Sequence, residues 1–567
     1  MNRPSTAHAL TEIVRGTLQT ETRVLDKTER SRLTGFLKLD EHAQDLVARL
    51  VSRTKDVFRP DRLLPTEQGM VAALRASGWV EPVATLEAIL ELMTVKELRS
   101  ACAAAGIKTT GRKAALQERI SALDDKQALA DSPTVLRICH KNLFRRAERI
   151  WFFHPYRSRT DWILDAVGAR RFPTYTVGPT AGKPLTRVEM LEFEQAEARL
   201  DAENPVTHLD WALGVFEHTL NEDLTARPFS TRKLARRIAS AAARDLERKR
   251  KHANAARVYE ILVSEETSPS RRGEWAHRLA HSLDHAGDSK RAVKVLDQWR
   301  HEVPLGTRIA LERTGQRLAK KTRMGWSPSI PLKEARQRHV SLPHSPRSGA
   351  RIEHETAEMI HAQTGRRVLR GESSPWTTIF ALLLYDLYWL PVDGMLPAQG
   401  LAGPLDLGTR AFASSRTTAL EQTLAAVREG RAPQLIERAD SMHRGERLAG
   451  ANWSRLGPSD LVAICEAMPA SALAMILERL AREGWSARRG LPDLIVLPGT
   501  PSKLHEGFPA RLSESLHLVE VKGPGDRLRD DQRAWMHHLC TVGVKCEIWQ
   551  IRLGNSRVVG QQKSPSD

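Results

Sequence analysis

The chain has 567 residues, of which 41% are hydrophobic and 27% charged, a composition that predicts several packed domains and excludes a wholly disordered protein. Lys and Arg number 86 against 68 Asp and Glu, so the formal net charge is +18 and the isoelectric point is near 9.9. Such an excess favours polyanionic partners, with nucleic acid first and an anionic membrane surface second. We expect no membrane insertion, because the longest apolar stretch, residues 376–390, is too short to span a bilayer.

Cysteine usage and the first residues of the chain favour a reducing compartment. The five Cys residues are an odd number, and none of them forms a Cys-x-x-Cys pair. We therefore predict neither a disulfide framework nor a structural zinc finger. Residues 1–5 begin without the apolar segment of a signal peptide. We expect a cytoplasmic, nucleoid-associated protein if the source is bacterial and a nuclear one if it is eukaryotic.

Residues 1–80 are predicted to be helical, and residues 81–130 contain the first motif. Thr94 and Glu97 have the spacing of a capping box, and Gly106 has the position that ends a helix. A basic turn and a second Leu-containing helix follow, so the segment resembles a SAP-type DNA-binding hairpin. An ordinary helical hairpin with a solvated basic loop fits this segment equally well. Under the SAP interpretation, the cations that face DNA phosphates are Lys108, Arg112 and Lys113.

Residues 131–325 are predicted to be helical and strongly basic. Two helices within residues 273–299, with a break at 285–288, resemble a tetratricopeptide-type hairpin, although three copies do not recur at a fixed period. A run of charge is usually a solvated surface. The excess of positive charge over the whole chain favours a surface that follows the DNA backbone, with Arg236 and Arg237 as candidates.

Residues 326–349, rich in Pro, Ser, Arg and His, are predicted to be a linker, and residues 350–560 a separate C-terminal domain. Within this domain two short apolar runs, 494–497 and 516–521, have the length and β-branched content of strands. The loop between them is long enough for an antiparallel pair. A helix over 526–540 and a third strand over 543–551 are predicted to follow.

The two predicted strands bring an Asp, a Glu and a Lys together. Asp493 leads one strand, while Glu520 and Lys522 close the other and share one side of it, because strand side chains alternate with a period of two. Carboxylates are suitable ligands for Mg²⁺ or Mn²⁺, so Asp493 and Glu520, with the Val521 carbonyl, are predicted to hold a divalent metal. Lys522 can position the attacking water or stabilise the charge of the transition state.

Gln532 and Glu372 complete the set of candidates. Gln532, on the helix after the second strand, can orient the water or Lys522. Glu372 precedes an apolar helix, which by itself indicates only a partner for the helix dipole. Beside the other motifs it is predicted to be a further metal-binding carboxylate. A surface salt bridge would explain Glu-x-Lys alone, but the longer strings over 489–494 and 519–528 are more specific.

Together these three motifs resemble the Fanconi-associated nuclease family with its VRR-NUC domain, closely over residues 350–555 and more loosely over most of the chain. The resemblance implies a multidomain, mostly α-helical protein with a C-terminal α/β domain of the restriction-endonuclease-like PD-(D/E)XK type. It implies a structure-selective DNA nuclease, a 5′-flap endonuclease and 5′→3′ exonuclease in interstrand crosslink repair, that depends on Mn²⁺ or Mg²⁺. It assigns the metal ligands to Glu372, Asp493, Glu520 and the Val521 carbonyl, and the catalytic cation to Lys522.

One feature departs from the family pattern. Vertebrate members carry an N-terminal ubiquitin-binding zinc finger, whereas the first Cys of this sequence is Cys102, and the Ala- and Arg-rich composition fits a bacterial member. We expect branched or flapped DNA as the partner and a monomer or homodimer as the assembly. Two alternatives stay open: a helical-repeat nucleic-acid-binding scaffold with an inactive nuclease fold, and an RNA-directed nuclease. The intact Asp, Glu and Lys argue against the first, and the SAP-like segment argues against the second.

Overall fold

The computed structural model divides the chain into two compact units. The first unit comprises residues 1–171 and 183–191, and the second comprises residues 172–182 and 192–567. The structure describes residues 6–19, 24–123, 133–152, 160, 163–164, 169–177, 186–200, 204–217, 229–265, 268–327, 331–342, 352–396, 400–499 and 515–553.

The first unit is helical, with one small antiparallel sheet in which β3 lies between β1 and β2. Its core includes the edge-to-face ring pairs of Phe36 with Trp79 and with Phe144, whose centroids are 6.0 and 5.1 Å apart. Its elements are α1 (Thr6–Gln19), α2 (Lys27–Leu37), α3 (Glu41–Ser52), β1 (Val57–Phe58), α4 (Pro65–Ala76), β2 (Val80–Pro82), α5 (Leu86–Leu92), α6 (Val95–Ala104), α7 (Lys113–Ser121), β3 (Leu136–Ile138) and α8 (Lys141–Phe152).

The hairpin formed by α6 and α7 has the capping that the sequence predicts. Thr94 Oγ1 accepts a hydrogen bond from the Glu97 N–H at 3.2 Å, and the Glu97 carboxylate accepts one from the Thr94 N–H at 2.6 Å. Gly106, with φ of +70°, follows the end of α6 in the left-handed conformation that glycine adopts without strain. Both ends of α6 are therefore set by local sequence.

The second unit begins with a helical region. The break predicted at 285–288 is present, because one helix ends at His285 and the next begins at Ser289. After α9 (Arg187–Leu200), the helices of this region are α10 (Leu209–Glu217), α11 (Phe229–Arg248), α12 (His252–Glu265), α13 (Pro269–His285), α14 (Ser289–Trp299) and α15 (Leu305–Thr322).

The C-terminal part of the second unit contains a five-stranded sheet of strand order β4-β8-β7-β6-β5. The pairs β4–β8 and β8–β7 are parallel, and the pairs β7–β6 and β6–β5 are antiparallel. The predicted order of strand, strand, helix and strand is present as β6, β7, α24 (Asp530–Thr541) and β8. The strands are β4 (Arg336–Leu342), β5 (Val368–Arg370), β6 (Leu494–Val496), β7 (His517–Lys522) and β8 (Lys545–Leu553).

Helices cover both faces of this sheet. Val519 and Val521 of β7 lie in an apolar cluster with Ile360 of α16, whereas Leu518 lies in the larger cluster formed by the helices between β5 and β6. Strand alternation thus places Glu520 and Lys522 on the side of this larger cluster. The helices are α16 (Ile352–Thr364), α17 (Ser374–Leu383), α18 (Tyr385–Tyr388), α19 (Arg410–Ser414), α20 (Thr417–Arg428), α21 (Ala432–His443), α22 (Pro458–Ala467), α23 (Ala470–Glu483) and α24 (Asp530–Thr541).

The prediction of a linker over 326–349 was wrong for residues 336–342, which form the edge strand β4. Only Val340 and Leu342 of this strand are buried, while its polar residues remain accessible, and Arg338 pairs with Glu547 of β8 at 2.8 Å. An edge strand with one apolar pair has the composition of a loop. The remainder of the predicted linker falls partly on 328–330 and 343–349, outside the described residues.

No single helix among the described residues is both long and apolar enough to cross a membrane. The helices α22 and α23 together meet the length and composition of a span, but they bend by 114° at their junction. Leu461 and Ile464 of α22, and Leu473 and Leu477 of α23, are fully or almost fully buried in the larger apolar cluster.

Candidate active site

Asp493 is fixed by backbone bonds at the start of β6. Its carboxylate Oδ2 accepts a hydrogen bond from the Val521 N–H at 2.8 Å, which joins β6 to the end of β7. Its own carbonyl accepts a bond from the Gly371 N–H at 2.6 Å. The side chain is 9% exposed. The Pro492–Asp493 motif therefore places a carboxylate between β7 and the segment that carries Glu372.

Glu520 is fully buried, and its two carboxylate oxygens differ. Oε1 accepts hydrogen bonds from the Gln532 side-chain amide and from Lys522 Nζ, the latter at 2.9 Å. Oε2 has no hydrogen-bond partner within the part of the chain that the structure describes. A buried carboxylate oxygen without a partner is costly, so the site is incomplete without a further positive or hydrogen-bonding group. The close Asp493 carboxyl makes a divalent cation the fitting group.

Gln532 is held in one orientation by the first turn of α24. Its Oε1 accepts the Arg529 N–H at 2.9 Å, which leaves its amide N–H group to donate to Glu520 Oε1. The residue is 4% exposed. The sequence predicted that Gln532 orients the water or Lys522; its direct contact in the structure is Glu520, and its catalytic role stays a prediction.

Glu372 lies near the pair formed by Asp493 and Glu520 without completing a three-carboxylate group. It is exposed in the segment between β5 and α17, next to Gly371. The negative charge of Glu372 contributes to raising the pKa of Asp493. No three His, Cys, Asp or Glu side chains among the described residues are close enough to hold one ion together. The assignment of Glu372 and of the Val521 carbonyl as metal ligands stays a prediction.

Burial dominates the electrostatics of the two central carboxyls. Burial raises the pKa of Asp493 to about 6, although the Val521 N–H and Lys522 act in the opposite direction. Burial and the adjacent Asp493 raise the pKa of Glu520 to about 8, again against Lys522. The pair therefore binds protons more tightly than free carboxyls do in the metal-free protein, and a metal cation must compete with these protons.

The raised pKa values predict how the stability of metal-free protein varies with pH. Both pKa values are higher in the folded than in the unfolded state, so the protonated carboxyls stabilise the folded protein. This stabilisation is present below about pH 4 and is lost as the pH rises through about 6 and then 8. Glu520→Gln keeps the shape of the protonated carboxyl. In EDTA we expect this variant to match wild type at pH 5 and to exceed it at pH 9 by at least about 1.4 kcal/mol, which is one pKa unit. Denaturant unfolding at both pH values measures the difference in unfolding free energy between the variant and wild type. The same difference at pH 5 and pH 9 would contradict the burial of the pair.

Comparisons with known proteins show which domains and families the chain resembles. Residues 427–552 match the model of the VRR-NUC domain, and residues 89–124 match that of the SAP domain. The chain is 25% identical, over 92% of its length, to a Fanconi-associated nuclease 1 homolog of Arabidopsis thaliana. It is 23% identical to a homolog of Pseudomonas aeruginosa, with 90% of this chain and 89% of that protein covered. The predicted resemblance to the Fanconi-associated nuclease family is confirmed.

The fold class is confirmed by a solved structure, that of paFAN1 bound to 5′-flap DNA with a gap. It superposes with a TM-score of 0.81 at 22% identity and covers 97% of this chain and 98% of that chain. The chain spans 64% of the length of the Arabidopsis relative. The VRR-NUC match contains Asp493, Glu520, Lys522 and Gln532, whereas Glu372 precedes it.

The SAP match decides between the two interpretations of the α6–α7 hairpin in favour of the SAP domain. Lys108 and Arg112 are exposed at its turn, as predicted. Lys113 is instead engaged within the domain, because its Nζ donates to the Glu91 carbonyl at 2.9 Å. Arg119, which is not among the predicted DNA contacts, shapes the turn by donating to the carbonyls of Lys108 and Thr110.

The candidates Arg236 and Arg237 line a basic cavity of about 860 Å³ between α11 and α13. Seven Lys and Arg side chains and two Glu side chains border this cavity, so its net charge is strongly positive. Partial burial, followed by the charges of Arg271 and Arg237, lowers the pKa of Lys233. The sequence contained a signal for this surface, because Lys233, Arg237, Arg244 and Arg248 recur at helical spacing along α11.

Proposed function

We propose that the chain is a structure-selective DNA nuclease that cuts 5′ flaps near the branch and degrades DNA in the 5′→3′ direction, in interstrand crosslink repair. The observation that carries this proposal is the buried pair of Asp493 and Glu520, in which Glu520 Oε1 contacts the Lys522 ammonium and Oε2 has no hydrogen-bond partner among the described residues. Two carboxylates that can bind a divalent metal, with a lysine ammonium beside them, are suited to the hydrolysis of a phosphodiester. The related solved structure contains 5′-flap DNA, which supports the choice of substrate.

The roles of the residues follow from their contacts. Bound to Asp493, Glu520, Glu372 and the Val521 carbonyl, Mn²⁺ or Mg²⁺ would supply an acidified water and neutralise charge on the phosphate. Gln532 and Lys522 both engage Oε1 of Glu520, and this keeps Oε2 available for the cation. Lys522 is only 8% exposed, and its ammonium is positioned to stabilise negative charge that develops on the phosphate. The products are 5′-phosphate and 3′-hydroxyl ends.

Helix α15, in the helical part of the second unit, packs against the start of α24, the helix that carries Gln532. Arg313 of α15 donates to both carboxylate oxygens of Asp530, the first residue of α24, at 2.5 and 3.2 Å. Gly306, also on α15, lies so close that an added Cβ would be 3.0 Å from the Asp531 Cα. We infer that this packing connects the basic cavity on α11 and α13 to the site, so that DNA held by the helices is presented to Lys522.

The basic cavity predicts a salt-dependent contribution to DNA binding. Arg237 borders the cavity, and no ion pair of its side chain is present among the described residues. We expect Arg237→Ala to weaken flap binding and to lower the slope of log affinity against log salt by about 1. Fluorescence anisotropy with a labelled 5′ flap at several salt concentrations measures both. The control is Arg431→Ala, which removes an exposed charge paired with Glu429 at 2.8 Å. Equal slopes for the two variants would exclude a phosphate contact at Arg237.

The direct test of the proposed function is cleavage of end-labelled 5′-flap, 3′-flap, linear duplex and single-stranded DNA, with Mn²⁺ or EDTA. A matched RNA flap belongs in the same series, because it tests the alternative of an RNA-directed nuclease. Metal-dependent cutting of the 5′ DNA flap near its junction is the expected result. Tight flap binding without cutting under any divalent metal would favour the scaffold instead.

A further inference from the structure

Cys540 and Cys546 lie on the two sides of the turn that joins α24 to β8. The Val544 N–H donates to the Leu539 carbonyl at 2.9 Å. The Gly543 N–H donates to the Cys540 carbonyl at 3.3 Å, which completes the hydrogen-bond pattern of a Schellman motif. This motif ends α24 and turns the chain directly after Cys540. Cys546, the second residue of β8, therefore lies close to the last turn of the helix.

The sulfur atoms of these two residues are in contact. The Cys546 thiol donates a hydrogen bond to the Cys540 sulfur, and the Cys546 backbone N–H donates to the same sulfur. Cys546 is 6% exposed within the larger apolar cluster, whereas Cys540 is half-buried at the border of that cluster. Both are free cysteines. An accessible sulfur thus lies against an enclosed thiol, the arrangement in which an oxidised cysteine meets a second cysteine that can resolve it.

The surroundings of Cys540 favour its thiolate. The hydrogen bond from the Cys546 thiol lowers the pKa of Cys540 to about 7 against the effect of burial, and the charge of Lys333 acts in the same direction as the hydrogen bond. Lys333 is close because its Nζ donates to the Cys540 carbonyl at 2.6 Å. The same hydrogen bond, together with burial, raises the pKa of Cys546. Because the thiolate is the reactive form, Cys540 is the nucleophile of the pair at neutral pH.

We propose that Cys540 and Cys546 form a reversible redox site, which peroxides oxidise to a disulfide and small thiols reduce. The Cys540 thiolate attacks one oxygen of hydrogen peroxide, the O–O bond breaks, and hydroxide leaves as Cys540 becomes a sulfenic acid. The Cys546 sulfur then attacks the Cys540 sulfur, the S–O bond breaks, and the hydroxide leaves as water with the Cys546 proton. In sum, two thiols and one peroxide give one disulfide and two waters. A transient disulfide of this kind is compatible with a reducing compartment.

A simpler role for the two cysteines is to fill space beside the apolar cluster, as small hydrophobic side chains do. Cys139 is a matched control for this role, because it is also half-buried but burial and Glu81 raise its pKa. At pH 7 about half of Cys540 is thiolate, against about 1% of a thiol whose pKa is about 9, and the lower nucleophilicity of Cys540 offsets about tenfold of this advantage. We therefore expect iodoacetamide to alkylate Cys540 at least about fivefold faster than Cys139. Equal rates would contradict a reactive thiolate at Cys540.

The decisive test is peptide mapping of the full-length protein after a limiting dose of hydrogen peroxide at pH 7, with free thiols blocked by N-ethylmaleimide before digestion. Trypsin cuts after Arg533, Lys545 and Arg552, so it separates the peptide 534–545, which contains Cys540, from the peptide 546–552, which contains Cys546. We expect the two peptides to stay joined after peroxide and to separate after dithiothreitol. Separate peptides in the peroxide-treated wild type overturn the inference, whatever oxidation state Cys540 then has.

Cys546→Ala tests which thiol resolves the sulfenic acid. We expect Cys540 of this variant to persist as a sulfenic acid that dimedone labels, whereas wild type escapes labelling by forming the disulfide. Equal dimedone labelling of the variant and wild type would show that Cys546 does not resolve Cys540. Thermal unfolding establishes that the variant is folded, and the wild-type peptide map decides the inference without it. The readout is a covalent bond, so it does not depend on nuclease activity.

Discussion

Asp493→Asn and Lys522→Ala are each expected to lower 5′-flap cleavage by at least about 10³-fold while flap affinity stays within a few fold of wild type. Asp493 is held by the Val521 N–H and is 9% exposed. The Asn variant keeps an oxygen for that bond but removes the negative charge. Lys522 is the only cation that contacts Glu520 among the described side chains. Its loss removes positive charge from the site without touching the basic cavity.

Single-turnover cleavage and anisotropy with the same labelled flap separate chemistry from binding. Asp393→Asn is a suitable control, because this exposed carboxylate lies in a loop after α18. A cleavage rate of Asp493→Asn near that of Asp393→Asn would show that the site lies elsewhere. A parallel loss of affinity and cleavage would indicate damage to the fold instead, and unfolding measurements on the same samples decide this.

The motifs of the candidate active site could be found from the sequence because much of their geometry is local. Strand alternation by itself places Glu520 and Lys522 on one side of β7, and their 2.9 Å contact agrees with it. Pro492 and Asp493 mark the start of the neighbouring strand. Gln532 follows at a fixed distance along α24, where the capping turn orients it. Glu520, Lys522 and Gln532 are thus oriented by short segments, whereas Asp493 also depends on the distant N–H groups of Val521 and Gly371.

Other features depend on contacts between segments that are distant along the chain, and the sequence does not contain them. Strand β4 exists because Arg336 to Leu342 pair with β8, about 210 residues later, and its local composition is that of a loop. Lys113 belongs to a basic turn in the sequence, but its hydrogen bond to Glu91 depends on how α5 and α7 pack.

Gly490→Ala is expected to damage both stability and cleavage, because two constraints meet at this residue. Gly490 has φ of +86°, in the left-handed region where a side chain costs about 1–2 kcal/mol. An added Cβ would also lie 2.6 Å from the Asp531 carbonyl carbon and 2.7 Å from the Gln532 nitrogen. These are backbone atoms of the first turn of α24, which cannot move away as the end of a flexible side chain can. The helix or the segment before Asp493 must therefore shift.

Gly543→Ala separates these two constraints. Gly543 has φ of +85°, and an added Cβ would meet nothing within 4 Å, so this variant carries the conformational cost alone. We expect Gly543→Ala to lower the free energy of unfolding by about 1–2 kcal/mol. Gly490→Ala should lower it by about 3 kcal/mol or more, because overpacking adds to the same backbone cost.

The effect on cleavage follows from the residues that flank Gly490. Asp493 lies three residues after it, and Gln532, whose amide holds Glu520, lies at the point of contact. A displacement of about 1 Å in such a constellation costs about 10²-fold in rate. We therefore expect Gly490→Ala to cut flaps about 10²-fold more slowly than Gly543→Ala at a temperature where both are folded. Denaturant unfolding and single-turnover cleavage of the two variants measure this, and similar rates would show that α24 does not position the site.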